Sequence, residues 1–389
     1  MRPARDTEPV LPTATDGHIA VVNLESARQA AWHRFWRDPQ RTEVAELIVE
    51  QEQATAQFSG DLEAFDRLET LSRALAPAEP LQPAQALLVR AQIDCSVHRF
   101  ADARAALASA RAEGAAADAA DRLALVIDQA TGTDLHAVLA ARRARVQRSG
   151  PWGECIPLAA LLVDLGEYGE AEHVYLQGLL SYPDVSPFAL ASLCFQLGML
   201  WGESVDTPRP TLAVQWYRSA IDYVPCYVKA RVHLAEICLA DGRSADAREL
   251  LLPALASGDP EVSWRLGDAA RAVGDEAEAA AHLRIARTGF EALLARHLLA
   301  FADHGAEFYA GSGDDAARAY ELARINLANR RTLRAFEQAH ATALDAGQAQ
   351  AASRLREDAA RRWGNIRAFQ HSSLADGPNQ LTEEEHAGT

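Results

Sequence analysis

An all-α solenoid of about eight to nine stacked helix–turn–helix repeats is the fold class that this sequence predicts, and three observations predict it. Alanine is roughly one residue in five, far above ordinary usage. Aromatic residues are only 7%, and Gly and Pro together number 40, from 23 and 17, in 389 residues. That mixture favours helix and is poor in strand formers. Third, one short signature recurs along the chain at a spacing of about 34 residues.

The signature is clearest in three places. Gly166-Glu-Tyr-Gly-Glu-Ala171, Gly242-Arg-Ser-Ala-Asp-Ala247 and Gly274-Asp-Glu-Ala-Glu-Ala279 each place a glycine turn five residues before an alanine. A bulky apolar residue follows at +4 (Tyr175, Leu251, Leu283) and a small one at +7 (Gly178, Ala254, Ala286). These offsets share one helical face, where small side chains let two helices approach closely. Weaker copies carry the anchoring alanine to Ala64, Ala103, Ala137, Ala213, Ala316 and Ala351, so that successive spacings are 39, 34, 34, 42, 34, 32, 37 and 35 residues. Leu158-Ala159, Leu234-Ala235 and Leu266-Gly267 fall 12 to 13 residues before their anchors, in the first helix of the pair.

This pattern resembles the tetratricopeptide repeat, a 34-residue helix–turn–helix unit, over residues 43–365. The segment Leu197-Gly198…Ala213-Val-Gln-Trp216-Tyr217-Arg-Ser-Ala220, with its longer inter-helix loop Gly202 to Pro210, is similar to a Sel1-like repeat. The resemblance implies a right-handed α-solenoid whose concave face is lined by the first helix of each unit. Residues 18–42 read as a capping helix bearing Trp32, Phe35 and Trp36, because a solenoid end must cover its apolar face. Residues 1–17 and 366–389 read as mostly disordered segments.

Composition narrows the function. A formal charge of −16 is the wrong sign for neutralising phosphates, which disfavours nucleic acid and anionic membranes as partners. No run of 18 apolar residues offers a membrane span, and Met1 to Asp16 has no apolar signal core. The five cysteines (Cys95, Cys155, Cys194, Cys226, Cys238) form no CxxC pair and read as reduced thiols of a cytoplasmic protein. Lys229 is the only lysine, so the other 37 basic residues are arginine, a usage that suggests a GC-rich bacterial genome.

No phosphate-binding glycine loop, HExxH, GxSxG or kinase signature occurs, so the chain reads as non-catalytic with no cofactor. Its expected role is to bind a protein or peptide, as an adaptor or an enzyme's accessory subunit. On the repeat register the concave groove is predicted to present Leu88, Arg122, Ile156, Val232, Trp264 and Phe301, with Arg265, Asp268, Arg271 and Phe308 beside them. A mostly apolar strip edged by Arg and Asp would suit an amphipathic helix or an extended apolar peptide. The alternative is that Trp264 and Phe301 pack against the neighbouring repeat. One further departure stands out: Asp303, His304 and Glu307 occupy positions where the repeat expects Leu, Gly/Ala and Tyr, with His297 one heptad earlier. These four could hold a divalent metal, as a ligand-binding protein or enzyme would. Otherwise they form satisfied pairs, or the register is shifted so that Ala306 and Tyr309 take the inward positions.

Overall fold

The recurring alanine signature folds as consecutive helix pairs, because the small anchors let the second helix of each unit lie against the first. The structure is a computed structural model and describes residues 11–75, 82–150 and 153–375. Nineteen α-helices and no strand occur among the described residues. Three come first: α1 (Gly17–Arg37), α2 (Thr42–Ala54) and α3 (Glu63–Leu75). Pairs then follow, namely α4 (Pro83–Ser96) with α5 (Phe100–Ala112), α6 (Ala117–Ala130) with α7 (Leu135–Ser149), and α8 (Cys155–Leu165) with α9 (Tyr168–Leu180). Next are α10 (Pro187–Met199) with α11 (Pro210–Tyr223), and α12 (Val228–Ala240) with α13 (Ser244–Leu251). The helix α14 (Pro260–Ala272) packs on the first arm of the long α15 (Glu276–Ala310), whose second arm packs on α16 (Ala316–Asn329). Last come α17 (Leu333–Asp345), α18 (Ala349–Trp363) and the short α19 (Arg367–Gln370).

Ala64, Ala103, Ala171, Ala213, Ala247 and Ala279 are all buried at helix contacts. In the weaker units burial falls instead on Val138, Ala319 and Ala352, so their register is offset from Ala137, Ala316 and Ala351. The two arms of α15 meet at His297, whose backbone (φ −134°, ψ 52°) leaves the helical region. No glycine or proline marks that bend.

The array closes on itself. Trp363, Ile366, Phe369 and Leu374 pack with Leu135, Val138, Leu161 and Leu165, so the last helices sit against α7 and α8. Gly166 caps α8 at φ +84°, and a Cβ there would lie 2.4 Å from the Ala368 nitrogen. Only glycine permits both that left-handed turn and that approach. The N-terminal helices also fold into the ring: Phe58 meets Phe188 and Tyr227 at 4.8 Å between ring centres, and Phe65 meets Phe301 at 5.2 Å.

Two boundary expectations change as a result. Leu11 and Ala14 pack on the core, the Tyr223 hydroxyl donates to Pro12 O at 2.6 Å, and Asp16 caps α1, so order begins before residue 17. Residues 366–375 are likewise packed rather than loose, because they complete the closure. The remaining parts of those two predicted segments, 1–10 and 376–389, lie outside the described residues. No helix among the described residues is long and apolar enough to cross a membrane.

Candidate functional site

Closure of the array forms a half-open central cavity of about 930 Å³, lined by residues of α6 to α10 and α15 to α19 and by the segments joining them. Its wall carries Asp164, Gln196, Glu203, Asn326, Arg334 and Gln338 among others. Both charge signs and several amides face it, alongside apolar side chains such as Leu135, Met199 and Leu333. Asn326 is the most telling member. It is buried, its amide nitrogen donates to Gln338 at 3.2 Å, and its Oδ1 accepts from no described protein group. A buried acceptor left unpaired is costly, and this oxygen is itself closed off behind the cavity surface.

The cavity's charged groups are held from behind. Arg330 donates to Ala130 O at 3.2 Å and to Asp303 at 3.4 Å, which ties α16's end to α6. Arg334 reaches Glu307 at 3.2 Å but keeps its side chain 71% exposed. Asp164 lines this cavity, where desolvation by its walls pushes the carboxyl up to about 6 despite a hydrogen bond from Gln129.

The predicted apolar groove is not formed. Leu88 is buried among Ala91, Phe100 and Ala103, and Val232 among Val228, Ala235 and Leu266. Trp264 sits edge-on to Phe290 and Phe308, which stack on each other at 4.8 Å, while the Arg265 guanidinium covers its ring at 3.6 Å. Phe301 lies under Phe65. Ile156 is partly buried against the core. Of the polar candidates, Arg265 pairs with Glu236 and Asp268, Asp268 accepts from Ser312 at 2.5 Å, Arg122 pairs with Asp118 at 3.4 Å, and Arg271 is exposed. The apolar members of that strip are buried as core, Phe301 under Phe65 of α3 and Trp264 under Phe290 and Phe308 of α15.

The four groups offered as metal ligands also part company. His297 Nε2 lies 2.9 Å from Asp66, His304 Nδ1 lies 2.5 Å from Glu261, Asp303 faces Arg330, and Glu307 faces Arg334. Ala302, Ala306 and Tyr309 are the buried residues of that helix arm, so the shifted-register reading describes it. The four are ion-pair members, and no metal centre is assigned to them.

His304 is nonetheless strongly perturbed. Burial opposes its charge, but Asp303 and Glu261 outweigh that and raise it to about 10. Glu261 is correspondingly held down, burial being outweighed by the charge and hydrogen bond of His304. The His304 side chain is 37% exposed, to a second internal cavity of about 340 Å³. Water there screens the pair, so it contributes about 1 kcal/mol rather than the several of a dry one. A raised histidine stabilises fully below its unfolded value and loses that contribution as pH rises through the folded one. The stability difference between wild type and His304→Ala, measured by denaturant titration, is therefore expected to be largest near pH 6 and to fade between pH 6.5 and 10. A difference that grows with pH would contradict this assignment.

No family model and no curated protein matches the chain. Among solved structures it is similar to three helical proteins. One is the APC/C hetero-tetramer Cut9–Hcn1, at 14% identity over 90% of this chain and 72% of that one, with TM-score 0.42. A second is the apo quorum sensor NprR from B. thuringiensis, at 13% over 89% and 97%, with TM-score 0.42. The third is the human IFIT1 dimer with PPP-AAAA, at 14% over 79% and 75%, with TM-score 0.39. At these scores the likeness carries no functional conclusion.

Residues that matter here were largely outside the sequence reading. Arg330, Arg334, Asn326 and Gln338 lie in weak repeats where no signature singles them out. Glu203 was findable in part, because it falls in the long loop after Gly198 that breaks the repeat spacing.

Proposed function

We propose that this chain is a non-catalytic binding protein that holds a short peptide, or an extended terminal segment of a partner protein, in its central cavity. The observation that carries this reading is a half-open central cavity of about 930 Å³ whose lining mixes amides with charges of both signs. That volume lies at the top of the range of about 300–1,000 Å³ in which proteins bury compact ligands. Amide side chains such as Gln196, Asn326 and Gln338 match the alternating donors and acceptors of an extended backbone. Arg334 and Glu203 supply opposite charges for the two ends or for charged side chains. The net charge of −16 and the carboxylates around the cavity support a protein ligand over a nucleic acid. Arginine-rich, cysteine-reduced composition supports a bacterial cytoplasmic setting for such an adaptor.

The test is selection of a soluble synthetic peptide library on the full chain, repeated with Arg334→Glu. Arg334 is exposed, so reversal leaves the fold intact while inverting one wall charge. Peptides enriched on the wild type are expected to bind the variant at least about ten-fold more weakly, the loss of one charge-assisted contact. Failure to enrich any peptide, or equal binding by both proteins, overturns the proposal.

A further inference from the structure

We propose that Glu203, His233 and Glu236 form a site for one divalent first-row transition cation at the rim of the central cavity. Among the described residues these are the three metal-capable side chains that converge, with one donor atom from each lying within 4.8 Å of the others. His233 and Glu236 stand one turn apart on α12, so both project from the same helical face. Glu203 comes from the π-helical turn Leu200–Ser204 that ends α10. Such turns insert an extra residue into the helix and are frequent at functional sites.

The three groups are held as metal ligands are held. The His233 imidazole is stacked on Tyr217 at 5.7 Å and meets Phe195 edge-on at 5.3 Å, which fixes its plane. Its Nδ1 faces Glu203 Oε1 at 2.7 Å and Glu236 Oε2 at 3.4 Å. The other oxygen of Glu236 is taken by Arg265, which leaves Oε2 turned inward. The Tyr217 hydroxyl donates to Glu203 at 3.4 Å. Outer contacts of this kind orient ligands in metal sites. A simple histidine–carboxylate pair needs one acid; here the second carboxylate keeps Oε2 as a third donor while Arg265 holds its other oxygen.

The donor set also chooses the metal. One imidazole nitrogen and two carboxylate oxygens suit zinc and its first-row neighbours, whereas calcium and magnesium prefer oxygen alone. Glu203 lines the cavity, so the coordination positions not taken by protein face the enclosed space. Glu203 is shared with the peptide reading, but metal titration and peptide selection have separate readouts, so either can fail without the other.

The experiment is calorimetric titration of the tag-free, chelator-stripped full chain with Zn²⁺, and separately with Mg²⁺. One Zn²⁺ per chain is expected, with Mg²⁺ bound at least about ten-fold more weakly. Glu203→Gln and Glu236→Gln keep side-chain shape and are each expected to weaken Zn²⁺ by ten-fold or more. His173→Ala, an exposed histidine elsewhere on the surface, is expected to bind as the wild type does. Co²⁺ in place of Zn²⁺ should give visible absorption that both glutamine variants lose. Absence of stoichiometric Zn²⁺, equal affinity for Mg²⁺, or unchanged binding in both glutamine variants overturns the site.

Discussion

Replacing Glu52 with alanine is expected to destabilise the protein by about 3–4 kcal/mol, near the lower end of what breaking a buried ion pair costs. The Glu52 side chain is 0% exposed and joins three helices. Its Oε1 accepts from Arg28 at 3.0 Å and from the Trp32 indole N–H at 2.7 Å, both on α1. Its Oε2 accepts from Arg67 of α3 at 2.8 Å. Alanine would leave two guanidiniums and an indole N–H facing one apolar gap. The loss is kept from the top of the range because Glu25 still pairs with Arg28, and Asp61 with Arg67. Since two of the three bonds tether α1, hydrogen exchange should accelerate first in α1. Denaturant unfolding gives the size of the effect, and a cost under 1 kcal/mol would contradict it.

Glu154→Ala is expected to cost a similar amount, about 3–5 kcal/mol, for a related reason. Glu154 sits just before α8, is 7% exposed, and faces Arg142 at 2.9 Å and Arg145 at 2.5 Å, both on α7. Arg145 keeps Asp118 at 2.8 Å when Glu154 is lost. Arg142 keeps only the Gln129 amide at 3.1 Å, and burial already lowers its affinity for a proton. An uncompensated buried guanidinium is then the main cost. The double variant Arg142→Met/Glu154→Ala removes that charge and should regain at least half of the lost stability, because apolar groups replace buried ion pairs at little cost. Strict additivity of the two single effects would show that the charges do not act as a unit.

How much of this was legible in the sequence depends on range. The pairing of α8 with α9, α12 with α13, and α14 with α15 follows from glycine and alanine offsets within about 20 residues, and those anchors are buried. Around Ala316 two registers stayed open, because α15 continues through a bend at His297 where no turn residue signals a break. The shifted one holds, with Ala306 and Tyr309 inward in place of Asp303, His304 and Glu307. The groove was lost for a different reason. Phe65 covers Phe301, and Asp66 meets His297 across 231 residues, contacts to which no repeat pattern refers. The same limit hid the grouping of Glu203 with His233, which lie 30 residues apart on two different pairs.

The central claim is that the open binding surface is the mixed-charge cavity, and that the apolar first-helix residues are core. Hydrogen exchange of the full chain, with and without a library-selected peptide at saturation, tests it most directly. Added protection is predicted in α10, in the end of α16 and in α17, around Gln196, Asn326, Arg334 and Gln338, with α5 and α13, which do not line the cavity, unchanged. Protection confined to α5 and α13, or centred on Trp264 and Leu88, would contradict it.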